Sequence, residues 1–241
     1  YITGTGGLLA DCAVTGNVRR TGVQVVSGVK MDSAFGRMER CLVTDNFSSQ
    51  SRAGGELNAG FVKDCIFARN GTANGPGGVS LGGGVSLINC TIADNYATSG
   101  GVGGLYYGSN AARVTNCVVS GNVLWQSEGD PIASEYSFNL QSWEYAAARE
   151  RVVHNCFGAG DPPSSDYTSD NIAGDPQFDP KKGDYRLLTT SPCHNTGIYH
   201  APWHEGQKDV YGHARVDRKL LVDLGAVERP YAPPATTLVL R

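Results

Sequence analysis

The chain has 241 residues, and no apolar run in it approaches the roughly 18 residues needed to cross a bilayer. No transmembrane segment is therefore expected. Basic surplus is also missing. A formal net charge of −3 and a pI near 5.9 argue against a broad surface for nucleic acid or anionic lipid. There is no C-x-x-C pair, and the seven cysteines are an odd number, which speaks against a zinc site or a disulfide framework. The opening residues "YITGTGGLLADC" lack the charged n-region and apolar h-region of a signal peptide. A repeat is already under way at Leu9, so we expect the remainder of a longer chain on the N-terminal side.

What the chain does have is glycine and a recurring frame. Glycine supplies 32 residues while hydrophobic content is 40% and charged content 18%, a composition that fits a turn-rich β protein rather than a disordered or collagen-like one. "LADCAVTGN", "MERCLVTDN", "VKDCIFARN", "LINCTIADN" and "VTNCVVSGN" repeat one pattern, with cysteines at 12, 41, 65, 90 and 117. The steps of 29, 24, 25 and 27 residues have the period of a solenoid, in which one repeat cannot bury a core alone.

The frame predicts its own geometry. Leu9, Met38, Val62, Leu87 and Val114 stand three before cysteine, and Val14, Val43, Phe67, Ile92 and Val119 stand two after it. Both sets can point inward only if a corner separates them, because side chains on a strand alternate faces. We place that corner at pairs such as Ile88-Asn89, with a second strand starting at cysteine. The cysteines are expected to form a reduced column of small buried hydrophobes, with disulfides or metal as the alternatives. Asn17, Asn46, Asn70, Asn95 and Asn122 are expected to form a hydrogen-bonded amide ladder in a sharp, left-handed turn. Gly-rich stretches between the frames absorb differences in coil length.

On these residues the chain resembles the right-handed parallel β-helix proteins of the pectate-lyase-like superfamily over residues 1 to about 125. The resemblance implies an all-β fold, a right-handed parallel β-helix of about five to six coils with a C-terminal β-rich cap. After Asn122 the period breaks, with a gap of 39 residues from Cys117 to Cys156 and a possible short helix at 143–150. Asp175-Pro176-Gln177-Phe178, Asp184 to Leu187, Ser191-Pro192 and Asp223 to Glu228 then resemble the choice-of-anchor domain of secreted bacterial surface proteins. Cys193-His194 departs from that pattern. The organisation read from the chain is coils over 1–125, an irregular extension and a capping domain that closes the open end of the stack over 126–230, and a Pro-rich tail over 231–241.

The resemblance implies an extracellular or bacterial cell-surface module: a stalk, adhesin or glycan-binding surface without its own catalysis, partnered by a polysaccharide or a cell-surface glycan. The alternative is a polysaccharide lyase or glycoside hydrolase acting along one sheet face, with Ca2+ as its cofactor if a lyase; otherwise no cofactor is expected. Such enzymes use a column of carboxylates with a basic residue. Stacking the repeats aligns Asp45, Arg69 and Asp94, and separately Asp11, Arg40 and Asp64. With strands about 4.8 Å apart, Asp45 and Asp94 would lie about 9.6 Å apart, near the upper limit for an inverting pair. The same acid-base-acid order serves plain charge pairing between coils.

Tyr106, Tyr107, Trp125 and Trp143 are candidate sugar-stacking rings. Tyr106-Tyr107 is favoured because adjacent strand residues face opposite ways, whereas the tryptophans also suit packing between coils and cap. His200, His204 and His213 are weak metal candidates, since "HEGQK" is not H-E-x-x-H, and exposed loop histidines are the simpler reading. The three glycosylation sequons at Asn46, Asn70 and Asn89 are discounted, because two belong to the ladder.

Overall fold

The computed structural model describes residues 1–20, 26–98, 101–109, 111–125, 131–132, 138–140, 151–158, 170–181, 183–216 and 219–230. Trp143, the helix expected at 143–150 and the tail 231–241 lie outside the described residues. The chain forms a parallel β-solenoid with four sheets. The first sheet stacks Gly7–Ala10, Gly36–Glu39, Phe61–Lys63, Ser86–Ile88, Arg113–Thr115 and Val152–Val153. The second stacks Ala13–Thr15, Leu42–Thr44, Ile66–Ala68, Thr91–Ala93, Val118–Ser120, Cys156–Phe157 and Ile172–Ala173. The third runs from Val18–Arg19 to Val123–Trp125, closed by an antiparallel strand, Pro131–Ile132. The fourth stacks Val29–Met31, Gly55–Leu57, Val79–Leu81, Leu105–Tyr107 and Phe138–Leu140. Among the described residues no helix is long and apolar enough to cross a membrane.

The inward lines are the expected ones. Met38, Val62, Leu87 and Val114 from the first sheet meet Val43, Phe67, Ile92 and Val119 from the second in one buried cluster, with Leu9 and Val14 partly buried against it. The corner between these sheets falls at the expected pairs, but the second strand starts one residue later than expected. Asp11, Arg40, Asp64, Asn89 and Asn116 take φ of 50–56° there, each cysteine follows, and the second strand begins after the cysteine. Each thiol turns inward and donates to the carbonyl two residues back, as Cys65 does to Lys63 and Cys90 to Ile88, both at 3.2 Å.

The next corner carries the amide ladder. Side-chain nitrogens of Asn17, Asn46, Asn70 and Asn95 each donate to the Oδ1 of the next asparagine at 2.8, 2.9, 3.0 and 2.9 Å. The asparagines do not themselves take the left-handed conformation. The residue before each one does: Gly16, Asp45, Arg69, Asp94 and Gly121, with φ of 54–68°. The glycines do more than adjust coil length. Gly28, Gly54 and Gly78 stack at the entry to the fourth sheet, and a Cβ on Gly54 would come within 2.2 Å of the Gly78 carbonyl oxygen.

The coils continue past residue 125. Asn155 accepts the Cys117 N–H at 2.8 Å, so it, and not Cys156, occupies the cysteine corner of the next coil. Asn171 follows it in the coil after, accepting the Asn155 side chain at 3.0 Å. Cys156 stands opposite Val118 and faces outward.

The segment expected to close the end of the stack lies instead along the outer flank of the second sheet. Ala226 and Val227 pack on Ile66 and Ala68, and Leu187, Cys193 and Leu224 pack on Val118 and Cys156. Beyond Ala173 its described part consists of turns, two antiparallel bridges (Phe178 with Leu187, Lys208 with Ala214) and a short helix, Ala201–His204, rather than regular strands. The physical reason is the apolar outer face of the second sheet. "IFA", "TIA" and "VVS" are buried on both sides, and apolar residues facing outward require a cover. Asp223 and Glu228 are internal ties of that cover. Buried Asp223 accepts the backbone N–H groups of Asn195 and Arg229 at 2.7 and 2.9 Å, and Glu228 accepts that of Asp223 at 3.1 Å.

Candidate functional site

Asp45, Arg69 and Asp94 come together because they share one left-handed corner on three successive coils. Arg69 holds both carboxylate oxygens of Asp45 at 2.8 Å, and this partner keeps the Asp45 carboxyl below its ordinary pKa. Tyr185, from the flanking segment, sits across the rest of the column. Its hydroxyl accepts from Arg69 at 3.2 Å and donates to Asp94 at 2.9 Å. Burial, with the Asp94 charge beside it, pushes the Tyr185 hydroxyl pKa up, so the phenol stays a donor. The column is thus a closed chain of carboxylate, guanidinium, phenol and carboxylate. The second column is also paired. Arg40 grips Asp11 at 2.7 and 2.9 Å, and Asp64 is fully buried 3.3 Å from Arg215 and 3.6 Å from Lys63. Burial dominates there and raises the Asp64 pKa to about 6.

The aromatic candidates separate. Tyr107 is corrected: it is fully buried in the core and its hydroxyl donates to the Ala112 carbonyl at 2.7 Å. A three-residue strand with its first and third residues inward leaves only the middle one outside, so Tyr106 is the residue facing outward, in line with Ser80. Trp125 is 41% exposed at the end of the third sheet. Neither ring lines the groove described next.

The histidine candidates do not converge, and among the described residues no group of three or more His, Cys, Asp and Glu could hold a metal ion. His204 is buried rather than exposed. Its Nδ1 accepts the His200 N–H at 2.9 Å, which leaves Nε2 to donate to Asn89 at 3.2 Å. Burial, aided by the Arg215 and Lys63 charges, lowers its pKa to about 3. His200 lies against the Trp203 ring with centroids 4.2 Å apart, and His213 bonds Asp209 at 2.9 Å.

A groove of about 660 Å³ runs between the outer face of the first sheet and the flanking segment. Its lining includes Phe35, Arg37, Phe61, Trp203 and Gln207, with Lys63 and one carboxylate, Glu39, which Arg40 holds at 3.2 Å. Register explains the floor, since Arg37 pairs with Phe61 on neighbouring strands and both point outward. Phe35 is 77% exposed. Arg37 is exposed and has no acidic partner among the described residues, whereas Lys63 is buried and donates to Gln207 at 2.8 Å. Rings offering flat apolar faces beside an exposed guanidinium and an amide suit a sugar carrying negative charge. The sequence reading missed this site because Trp203 is far from Phe61 along the chain. The alternating "GRME" and "FVK" strands, with Arg37 and Phe61 on the outward phase, were the available signal.

A family model for the right-handed β-helix region matches residues 1–164. No curated protein and no solved structure matches the chain.

Proposed function

The chain belongs to the right-handed β-helix family, and on that footing we propose that it is a non-catalytic module, displayed outside a bacterial cell, that binds an extended anionic glycan. The solenoid serves as a stiff stalk and the groove along its first sheet as the binding surface. The observation that carries this reading is the groove lining: two phenylalanine rings, Trp203 and Arg37, which has no acidic partner among the described residues, face one open channel. The acidic column supports the absence of catalysis. An acid or base must reach a substrate proton, yet Asp45 is held by Arg69 and Asp94 by Tyr185. The segments Asp175 to Phe178 and Asp223 to Glu228 support reading the C-terminal part as a choice-of-anchor type domain on a pectate-lyase-like coil stack.

The test is electrophoresis of the protein through gels containing polygalacturonate, alginate or a neutral glucan, with reducing ends and unsaturated products assayed in parallel. Uronate gels should retard the wild type, Phe35→Ala and Arg37→Ala should each weaken retardation several-fold, and Asp94→Asn should leave it unchanged. Cleavage that disappears in Asp94→Asn would overturn the proposal in favour of a lyase or hydrolase, and equal migration in all gels would overturn the glycan assignment.

A further inference from the structure

Five of the seven cysteines, Cys12, Cys41, Cys65, Cys90 and Cys117, belong to the inward column. The remaining two meet elsewhere. Cys156 projects from the outer face of the second sheet, because Asn155 has taken the column position of its coil. Cys193 projects from the flanking segment, in a turn fixed by its N–H bond to Ser191 Oγ at 3.0 Å and by the Leu224 N–H donating to its carbonyl at 3.0 Å. Both are fully buried in one apolar cluster with Val118, Leu187 and Leu224, where the Cys156 thiol donates to the Gly174 carbonyl at 3.7 Å and the presence of Cys156 raises the pKa of Cys193. The column thiols lie on the other side of the sheet, inside the solenoid.

We propose that Cys156 and Cys193 are a redox pair whose disulfide fastens the flanking segment covalently to the solenoid. The oxidant is a small-molecule disulfide such as oxidised glutathione. One cysteine thiolate attacks it, forming a mixed disulfide and releasing one glutathione thiolate. The second cysteine then displaces the other glutathione. Two protein thiols become one disulfide, their two electrons reduce glutathione, and their two protons end on the released thiols. The neighbouring Cys156 thiol and burial hold Cys193 protonated, and thiol exchange needs the thiolate. The bond therefore closes during folding or when the segment lifts. Once made, it ties residues distant in sequence across the interface that covers the apolar flank, where loop closure stabilises the docked state.

The test uses the full chain, reduced and unfolded, then refolded in buffers of reduced and oxidised glutathione. After acid quenching and alkylation in denaturant, mass spectrometry counts free thiols. Reducing buffer should give seven alkylated cysteines, and oxidising buffer five, with Cys156 and Cys193 in one cross-linked peptide. The oxidised form should melt higher by on the order of 5–10 °C. Cys193→Ser should give no intramolecular disulfide and at most one glutathione adduct, on Cys156. Seven free thiols in oxidising buffer, a cross-link involving any column cysteine, stable glutathione adducts on both residues, or a melting temperature that does not rise would each overturn the proposal.

Discussion

Replacing Asn95 by alanine should remove the centre of the amide ladder. Its Oδ1 accepts from the backbone and side-chain nitrogens of Asn70 at 2.9 and 3.0 Å, and its own amide donates to Asn122 Oδ1 and the Phe67 carbonyl, both at 2.9 Å. Two of the groups left behind keep a partner: the Asn70 amide still reaches the Val43 carbonyl and Asn122 Oδ1 still receives the Asn95 N–H. The Asn70 N–H keeps none. A buried orphan donor costs about 1–3 kcal/mol, and each further bond about 0.5–1.5. With partial relaxation we expect a loss of about 2–4 kcal/mol. Asn17→Ala is the control. That residue is exposed and loses one side-chain bond, to Asn46, so its cost should stay below about 1 kcal/mol. Asn95→Asp should do no better than alanine, because it turns a second acceptor toward Asn122 Oδ1 and the Phe67 carbonyl. Urea titration followed by circular dichroism reads the result. With a slope of about 2–3 kcal/mol/M, the midpoint of Asn95→Ala should fall by about 1 M. Midpoints equal to wild type, or equal losses in Asn95→Ala and Asn17→Ala, would refute the buried-ladder reasoning.

Gly54→Ala should be among the most damaging small changes, since its Cβ would lie 2.2 Å from the Gly78 carbonyl oxygen. We expect a loss of about 2 kcal/mol or more by the same titration, and a near-wild-type midpoint would show that the stacked turns can spread. Stability should also fall as pH rises from 7 to 9. Burial raises the Glu228 pKa to about 9, so the folded state binds a proton there that the unfolded chain, with an ordinary glutamate near 4.5, has already lost. Thermal melts of Glu228→Gln should lose the Glu228 share of that decline and fall less steeply than wild type, and an unchanged slope would remove Glu228 as the cause. His204 runs the other way and outside that window, its lowered pKa costing stability as pH falls below about 6.5, whereas Cys41, whose pKa its bond with Cys65 lowers to about 7, adds an opposing gain between pH 7 and 9.

The ladder and the inward lines were legible because a repeat shows each structural role several times over. Asn46, Asn70 and Asn95 could be aligned by counting from cysteine alone. The left-handed corner was less legible, since Asp45, Arg69 and Asp94 look like surface charges. Gly16 and Gly121 at the same register were the clue that this position demands unusual backbone. Cys156 misled through its identity: read as the next column cysteine it broke the period, whereas Asn155 preserves the hydrogen bond that the column makes. That bond is the same in kind whether sulfur or an amide oxygen receives it, as the Cys90 N–H to Cys117 Sγ contact of 3.4 Å shows. Tyr107 was lost because phase along a strand cannot be fixed from two adjacent tyrosines. The groove required tertiary structure, since it forms where the helix carrying Trp203 passes the strand carrying Phe61.

The ladder also has a polarity. Each amide from Asn17 to Asn95 donates one hydrogen forward to the next Oδ1, and every Oδ1 from Asn46 onward accepts from the coil before it, so the two directions along the stack are chemically unlike. At Asn17 the Oδ1 receives no hydrogen bond among the described residues, and the strands beside it are the first of their sheets among those residues. A coil arriving in the same winding sense, with an asparagine in the same place, would bring an N–H pair to the waiting oxygen. The stack is therefore a one-way thread, which accepts a further coil at Asn17 only in its own winding sense.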